Sequence, residues 1–336
     1  MKKFYKILFI NLLITSTFIA ISSISWFTAW IGLEMNLLAL IPLLKTFKNK
    51  LSNESTIKYF MIQAMASSIL LFSIIFISII KNISLNLSTF SSILIDSSLL
   101  MKMGAAPFHF WLPEVISGLN WKMIFIILTW QKIAPMLLLS YTIFSPMFLS
   151  IIIILSTLMG GIQGLNQTCL RKIMAYSSIN HMGWMMSAML TSLNMWMYYF
   201  IIYSIINMNI MLIFNKYQIY SINQLSKLFS HNKMMKFFFM LNFMSLGGLP
   251  PFLGFLPKWM TINFMIMNNL FILSFILIIF TLISLYFYMR ITFSTFSLYS
   301  QESMIKYINK MSFTHFLINL ICLIGLIFCF SLTTYL

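Results

Sequence analysis

Apolar runs of about the length needed to cross a bilayer, roughly 20 residues, follow one another along the chain, parted by short polar or basic links. They predict eleven spans, at 4–22, 24–44, 57–80, 91–112, 121–142, 147–168, 172–190, 193–215, 234–266, 268–290 and 313–335. The ninth run is too long for one straight crossing and contains Gly247-Gly248-Leu249-Pro250-Pro251, so an interruption is expected there. The basic, apolar start has the outline of a secretory signal, but no small-residue cleavage site follows and ten further spans do. It is read as the first helix of an all-α polytopic membrane protein.

A repeat emerges on comparing segments 144 positions apart. Gly104, Pro107, Phe108, Leu112 and Pro113 align with Gly248, Pro251, Phe252, Leu256 and Pro257, five positions of eleven. The same offset lays span one over span six and span four over span nine. The chain then reads as two five-helix units, 1–145 and 146–295, with a loop and a last helix at 296–336. Five is odd, so the second unit enters the membrane from the opposite side and the repeats are inverted. Pro and Gly remove backbone hydrogen bonds and break helices, and broken helices at matching places in inverted halves point to a transport site.

Composition agrees with the pattern. The chain is 60% hydrophobic and only 8% charged, with a mean hydropathy of +0.94, against about 25% charged residues in soluble domains. The net charge of +16 suggests nucleic acid until its distribution is read. With the N-terminus on the positive side, every Lys and Arg outside the spans except Lys81 falls on that same side. This asymmetry orients a membrane protein. It is also suited to anionic lipid such as cardiolipin, and it calls for no nucleic acid. Cys169, Cys322 and Cys329 form no C-x-x-C pair or disulfide framework.

Four ionisable residues interrupt the apolar runs: Glu34, Lys102, Lys132 and Lys258. A charge at mid-membrane costs roughly 2.5–3.5 kcal/mol on insertion scales and marks a functional site by default. Lys102 stands two residues before Gly104-Ala105-Ala106-Pro107, about ten residues from either end of its span, or roughly 15 Å. That exceeds a lysine's reach to the interface. A buried base near an acid can load and release a proton as its neighbour's charge changes. Glu34 is the acid expected to pair with Lys102, the two titrating as a unit. Lys132 precedes Pro135, which cannot donate to the Gln131 carbonyl, and the loosened helix leaves that carbonyl for water. Lys258 follows the second Gly/Pro break and returns to mid-depth only if the path is re-entrant.

His181, in Ser177-Ser178-Ile179-Asn180-His181, is suited to relaying protons, and His109 lies within the first broken segment. His231 and His315 receive no role. Asp96 and Glu114 are read as interfacial, and Gly160-Gly161-x-x-Gly164 as a site of close helix packing. No P-loop, G-x-G-x-x-G or iron–sulfur cysteine cluster is present, so no nucleotide or electron-carrier site is expected.

Trp30-Ile-Gly-Leu-Glu34, Lys102-x-Gly-x-Ala-Pro-Phe-His-Phe-Trp-Leu-Pro-Glu114, Thr129-Trp-Gln-Lys132-Ile-Ala-Pro, Tyr176-Ser-Ser-Ile-x-His181-Met-Gly-Trp184 and Gly247-Gly-Leu-Pro-Pro-Phe-Leu-Gly-Phe-Leu-Pro-Lys258-Trp resemble the antiporter-like membrane subunits of respiratory complex I, especially their mitochondrial forms. Five motifs in order over nearly the whole chain carry the resemblance. It implies two inverted five-helix repeats, each with a discontinuous helix. It also implies proton translocation driven by NADH oxidation and quinone reduction elsewhere in the enzyme. Glu34 and Lys102 fall on that family's coupled pair, Lys132 on its connecting lysine and Lys258 on the lysine of its second broken helix. His181 falls on a polar position of the central axis. Family members commonly have fourteen helices, so this chain departs from them by lacking the first three.

The chain is therefore expected to be a core, proton-translocating membrane subunit of an NADH:ubiquinone reductase in the mitochondrial inner membrane. Its N-terminus would face the matrix and its C-terminus the intermembrane space. No cofactor is expected in this chain. NADH, flavin, iron–sulfur clusters and ubiquinone are assigned to other subunits, and neighbouring antiporter-like and small membrane subunits are the expected partners. Two rivals remain open: an independent cation/proton antiporter, and a structural spacer.

Overall fold

The computed structural model describes residues 4–45, 49–80, 85–142, 145–229, 233–250, 252–296 and 319–320. The predicted last span, Cys322, Cys329, His231 and His315 lie outside them. Among the described residues the fold is all helix, save one isolated antiparallel bridge between Cys169 and Ser221. The chain divides into two compact units, residues 1–152 and 153–336.

The first unit contains α1 (Phe4–Ile21), α2 (Trp26–Leu44), α3 (Lys50–Ile80), α4 (Leu85–Met103), α5 (Trp111–Gly118), α6 (Trp121–Leu128) and α7 (Trp130–Ser140). α1 packs closely on α2, where a Cβ on Gly32 would lie 2.8 Å from the Ala20 nitrogen. α8 (Pro146–Leu165) runs across the boundary. The second unit continues with α9 (Leu170–Thr191), α10 (Leu193–Tyr217), α11 (Ile222–Phe229), α12 (Lys233–Gly247), α13 (Phe255–Met267) and α14 (Phe271–Phe296).

Among the described residues seven helical stretches are long and apolar enough to cross a membrane: α1, α2, α3, Trp121–Ser140, α8, α10 and α14. The other predicted spans among the described residues differ for physical reasons. The runs at 91–112 and 234–266 are each cut into two shorter helices, α4/α5 and α12/α13. α9 is uninterrupted but polar, with Ser177, Ser178, Asn180 and His181 all buried along it. A helix buried on nearly every side faces protein rather than lipid and can carry such residues. By contrast, α14 turns an apolar stripe outward through Ile272, Phe275, Ile279, Leu282, Tyr286 and Phe293, as a lipid-facing helix does.

The two breaks are built alike. Gly104 and Gly248 adopt φ of +74° and +80°, values that glycine reaches without a Cβ penalty. At the first, the Gly104 and Ala105 amides both donate to the Leu100 carbonyl, at 3.0 and 3.1 Å. At the second, the Gly248 and Leu249 amides donate to Met244, at 3.1 and 3.3 Å. Each closes its helix in a left-handed C-terminal turn, and the paired positions are those aligned by the sequence repeat. Pro113 and Pro257 do not break anything. They sit in the first turns of α5 and α13, where an amide hydrogen has no helical partner to lose. Pro135 likewise lies inside α7, and the interruption falls earlier, at Thr129 (φ −118°, ψ −72°) between α6 and α7.

Candidate functional site

In the first unit Lys102 occupies the last turn of α4 and is 7% exposed, so it stands at a helix end rather than mid-helix. The carbonyls freed by the break are taken up one by one. Leu100 accepts from Gly104 and Ala105, Met101 from the Trp111 indole N–H at 3.1 Å, and Lys102 from Gln63 Nε2 at 3.1 Å. With these satisfied, the helix end can be buried at membrane depth, and the partial negative charge of a helix C-terminus favours a cation there.

Lys102 borders a small cavity with Asn36, Tyr59, Gln63, Gln131 and Pro135. The space open to the centre of a water molecule is about 10 Å³, room for roughly one water. Gln131 Nε2 donates to Asn36 Oδ1 at 2.9 Å, tying α7 to α2. Pro135 has no hydrogen for the Gln131 carbonyl, and both residues line this space, where the loosened helix was expected to admit water.

Glu34 is half-buried on α2, and its Oε1 is buried with no hydrogen-bond partner among the described residues. It acts on Lys102 electrostatically, but the two make no contact ion pair, contrary to a closed pair. The ion pair seen among the described residues joins Lys58 to Glu114 at 2.7 Å, with both side chains more than half exposed. Glu114 is thus at the periphery, as expected. Asp96 is not: it is 0% exposed, because the end of α7 packs over α4 and covers it. Lys132 is 1% exposed on α7. His109 is buried in the first break with its ring stacked on Phe110 at 4.4 Å.

In the second unit Lys258 lies in the first turns of α13 and reaches back to α12. Its Nζ donates to the Gly247 carbonyl at 2.8 Å and lies 3.4 Å from that of Leu246. The break does return it to the interior, where it is 6% exposed. The Trp184 ring of α9 is 6.0 Å from Nζ, at the limit of cation–π range. One turn earlier on α9, His181 Nδ1 is 2.9 Å from the Tyr199 hydroxyl, and its ring is 5.1 Å from that of Tyr203. Gly160 packs against α9, where a Cβ on it would lie 2.7 Å from the Asn180 nitrogen, so the packing role read for that glycine motif holds.

Sequence reasoning gave no role to Asn36, Tyr59, Gln63, Tyr199 and Tyr203, and for Gln131 it considered the carbonyl but not the side-chain amide. A signal was present. Tyr199, Tyr203 and Asn207 recur at helical spacing along an otherwise apolar run, and all three are buried on α10.

A family model described as NADH:quinone oxidoreductase/Mrp antiporter, transmembrane, matches residues 23–284. The chain belongs to this family. Among curated relatives, this NADH:quinone oxidoreductase/Mrp family member is similar to NADH-ubiquinone oxidoreductase chain 2 of Anopheles gambiae, with 51% identity over 97% of each chain. It is also similar to chain 2 of Locusta migratoria, with 45% identity over 96% of this chain and 95% of that one. Among solved structures, its fold is similar to a chain of respiratory complex I from Thermus thermophilus (TM-score 0.85, 22% identity, 96% of this chain and 78% of that one). A chain of the Mrp complex from Dietzia sp. shares the fold as well (TM-score 0.77, 16% identity, 84% of this chain and 59% of that one). The protein is an antiporter-like, multi-pass membrane subunit of the complex I type.

Proposed function

We propose that this subunit translocates protons across the mitochondrial inner membrane within NADH:ubiquinone oxidoreductase, driven by redox chemistry on partner subunits that hold NADH, flavin, iron–sulfur clusters and ubiquinone. The observation that carries the reading is the placing of three buried lysines. Lys102 and Lys258 both stand at interrupted helices, Lys102 beside a water-sized polar cavity, and Lys132 is enclosed on α7. Buried amines at membrane depth are costly and retained for charge movement.

In this reading Glu34 modulates Lys102 through space rather than by contact. A water held in this cavity by the surrounding amides would take the Lys102 proton and return it, the amides orienting the water without titrating themselves. Lys132 relays within the first unit, and His181, with Tyr199, relays within the second. Lys258 gates an exit by leaving or regaining the Gly247 carbonyl. Eleven crossings in two inverted repeats (1–145 and 146–295, with 296–336 adding a last helix) complete the proposal, with a matrix N-terminus and an intermembrane-space C-terminus. The matching glycine turns at Gly104 and Gly248 support the repeat. Neighbouring membrane subunits and anionic lipid such as cardiolipin are the proposed partners.

The test has two steps. Mildly solubilised mitochondrial membranes are separated on native gels and probed for this chain and for NADH dehydrogenase activity. Co-migration in a large assembly is expected, whereas a small NADH-inactive species would turn the reading to a cation/proton antiporter. In the assembled complex Lys102→Met should then lower the proton-to-electron ratio. An unchanged ratio and turnover would leave the chain a spacer.

A further inference from the structure

The first unit buries a carboxyl that the relay above does not use. Asp96 lies on α4, six residues before Lys102, about 9 Å along the helix axis. It is 0% exposed, and no Lys, Arg or His pairs with it among the described residues. Among the described residues its partners are two hydroxyls: Thr142 Oγ1 lies 2.5 Å from Oδ1, and Ser145 Oγ lies 3.3 Å from Oδ2. Both come from the chain just after α7.

Thr142 makes this carboxyl more than a structural tie. Its Oγ1 is also 3.1 Å from the Leu139 carbonyl, so one hydroxyl proton has two acceptors within reach. With Asp96 ionised, the Thr142 hydroxyl donates to Oδ1. With Asp96 protonated, the carboxyl O–H donates to Thr142 Oγ1, and the threonine proton turns to Leu139. Both arrangements leave every buried group bonded, since a hydroxyl accepts and donates at once. Once a proton has been passed in or out through Thr142, the only rearrangement a change of protonation at Asp96 needs is a hydroxyl rotation.

Thr142 also opens onto a cavity. With Thr89, Ser91, Ser92, Trp26 and Tyr141 it lines a space of about 420 Å³, far above what one water requires. This cavity sits where α2 and α4 begin and α7 ends, the end of the unit opposite Lys45 after α2 and Lys122 at the start of α6. A roomy mouth with hydroxyls set among apolar walls that include Ile77 and Ile95, a rotating hydroxyl and a buried carboxyl thus follow one another inward.

We propose that Asp96 is a further proton-binding site of the first unit, beside Lys102 and Lys132, exchanging translocated protons through Thr142 with the face away from the lysines that follow α2 and open α6. The inference rests on the proton-translocation reading of the chain. Asp96→Asn and Asp96→Glu in the assembled complex separate it from a structural role. Asparagine can still accept from Thr142 through its amide oxygen and donate to Ser145 through its amide nitrogen, but it binds no proton, whereas glutamate binds a proton and disturbs the geometry. The expected result is loss of proton-to-electron ratio in Asp96→Asn with normal assembly, and recovery in Asp96→Glu. A normal ratio in Asp96→Asn, with or without a defect in Asp96→Glu, overturns the proposal. If Lys102→Met lowers the ratio in the same membranes, the failure belongs to Asp96 alone. If neither variant lowers it, the translocation reading falls too. Should Asp96→Asn fail to assemble, a hydrophobic carbodiimide, which adds to protonated carboxyls, decides on the unaltered complex. Modification mapped to Asp96 supports the site, and an unmodified Asp96 overturns it.

Discussion

The Lys258 ammonium donates to the Gly247 carbonyl at 2.8 Å, so the cation of one half-helix closes the end of the other across the break between them. Charge and hydrogen bonding act together here and can be separated. Lys258→Gln keeps a donor and loses the charge, and it should assemble normally while lowering proton translocation. Lys258→Met also leaves the carbonyl buried without this partner, a cost of about 1–3 kcal/mol, and should lower the melting temperature of the complex as well. Equal translocation in the wild type and in Lys258→Gln would remove the charge from the mechanism.

Gly104→Ala and Gly248→Ala place a side chain at φ +74° and +80°, with a Cβ 2.8 Å from Leu112 Cδ1 and from Lys258 Cδ respectively. The left-handed conformation alone costs about 1–2 kcal/mol for a residue with a Cβ. Both variants should reduce the amount of assembled complex on native gels. Gly161→Ala is the contrast. It sits within α8 and meets nothing closer than 3.5 Å, so assembly should be unchanged.

Gln131 and Asn36 share a part-buried hydrogen bond of 2.9 Å at the Lys102 cavity. Gln131→Leu strands the buried Asn36 amide, at about 1–3 kcal/mol, and Asn36→Leu, which leaves the half-buried Gln131, should cost less. The double variant should cost less than the sum, because contacting residues couple. Thermal melting of the four complexes measures that difference, and strict additivity would mean the bond is not made.

Tyr199→Phe deletes the hydroxyl 2.9 Å from His181 Nδ1 and little volume. If the two act as one relay, Tyr199→Phe should lower the proton-to-electron ratio in the same direction as His181→Phe, and the double variant should be no worse than His181→Phe. Independent, multiplying effects would place Tyr199 outside the relay.

Much of the architecture is legible before any coordinates, and the reasons are local. The Gly and Pro residues at 104–107 and 247–251 announce their breaks, since glycine alone takes positive φ cheaply and proline cannot donate. Lys102, Lys132, Lys258 and Glu34 stand out because so few charges interrupt the apolar runs. Asp96 defied the same reasoning. Counting residues from a span end makes it interfacial, and only the end of α7 folding over α4, with Thr142 and Ser145, buries it. The amides lining the Lys102 cavity escaped notice because each is a single uncharged polar residue on a different helix.

What the sequence determined by itself is whatever depends on one segment at a time: membrane residence from apolar length, the helix breaks from backbone chemistry, and the buried lysines from their isolation among apolar neighbours. The tertiary structure decided what depends on two segments meeting. It placed Gln63 on the Lys102 carbonyl, Tyr199 on His181, and Lys258 over the end of α12. It also kept Glu34 out of contact with Lys102. Hydrogen bonds act over about 3 Å, while the residues they join lie from 11 to 95 positions apart here, and only the packing of helices brings such groups within that reach.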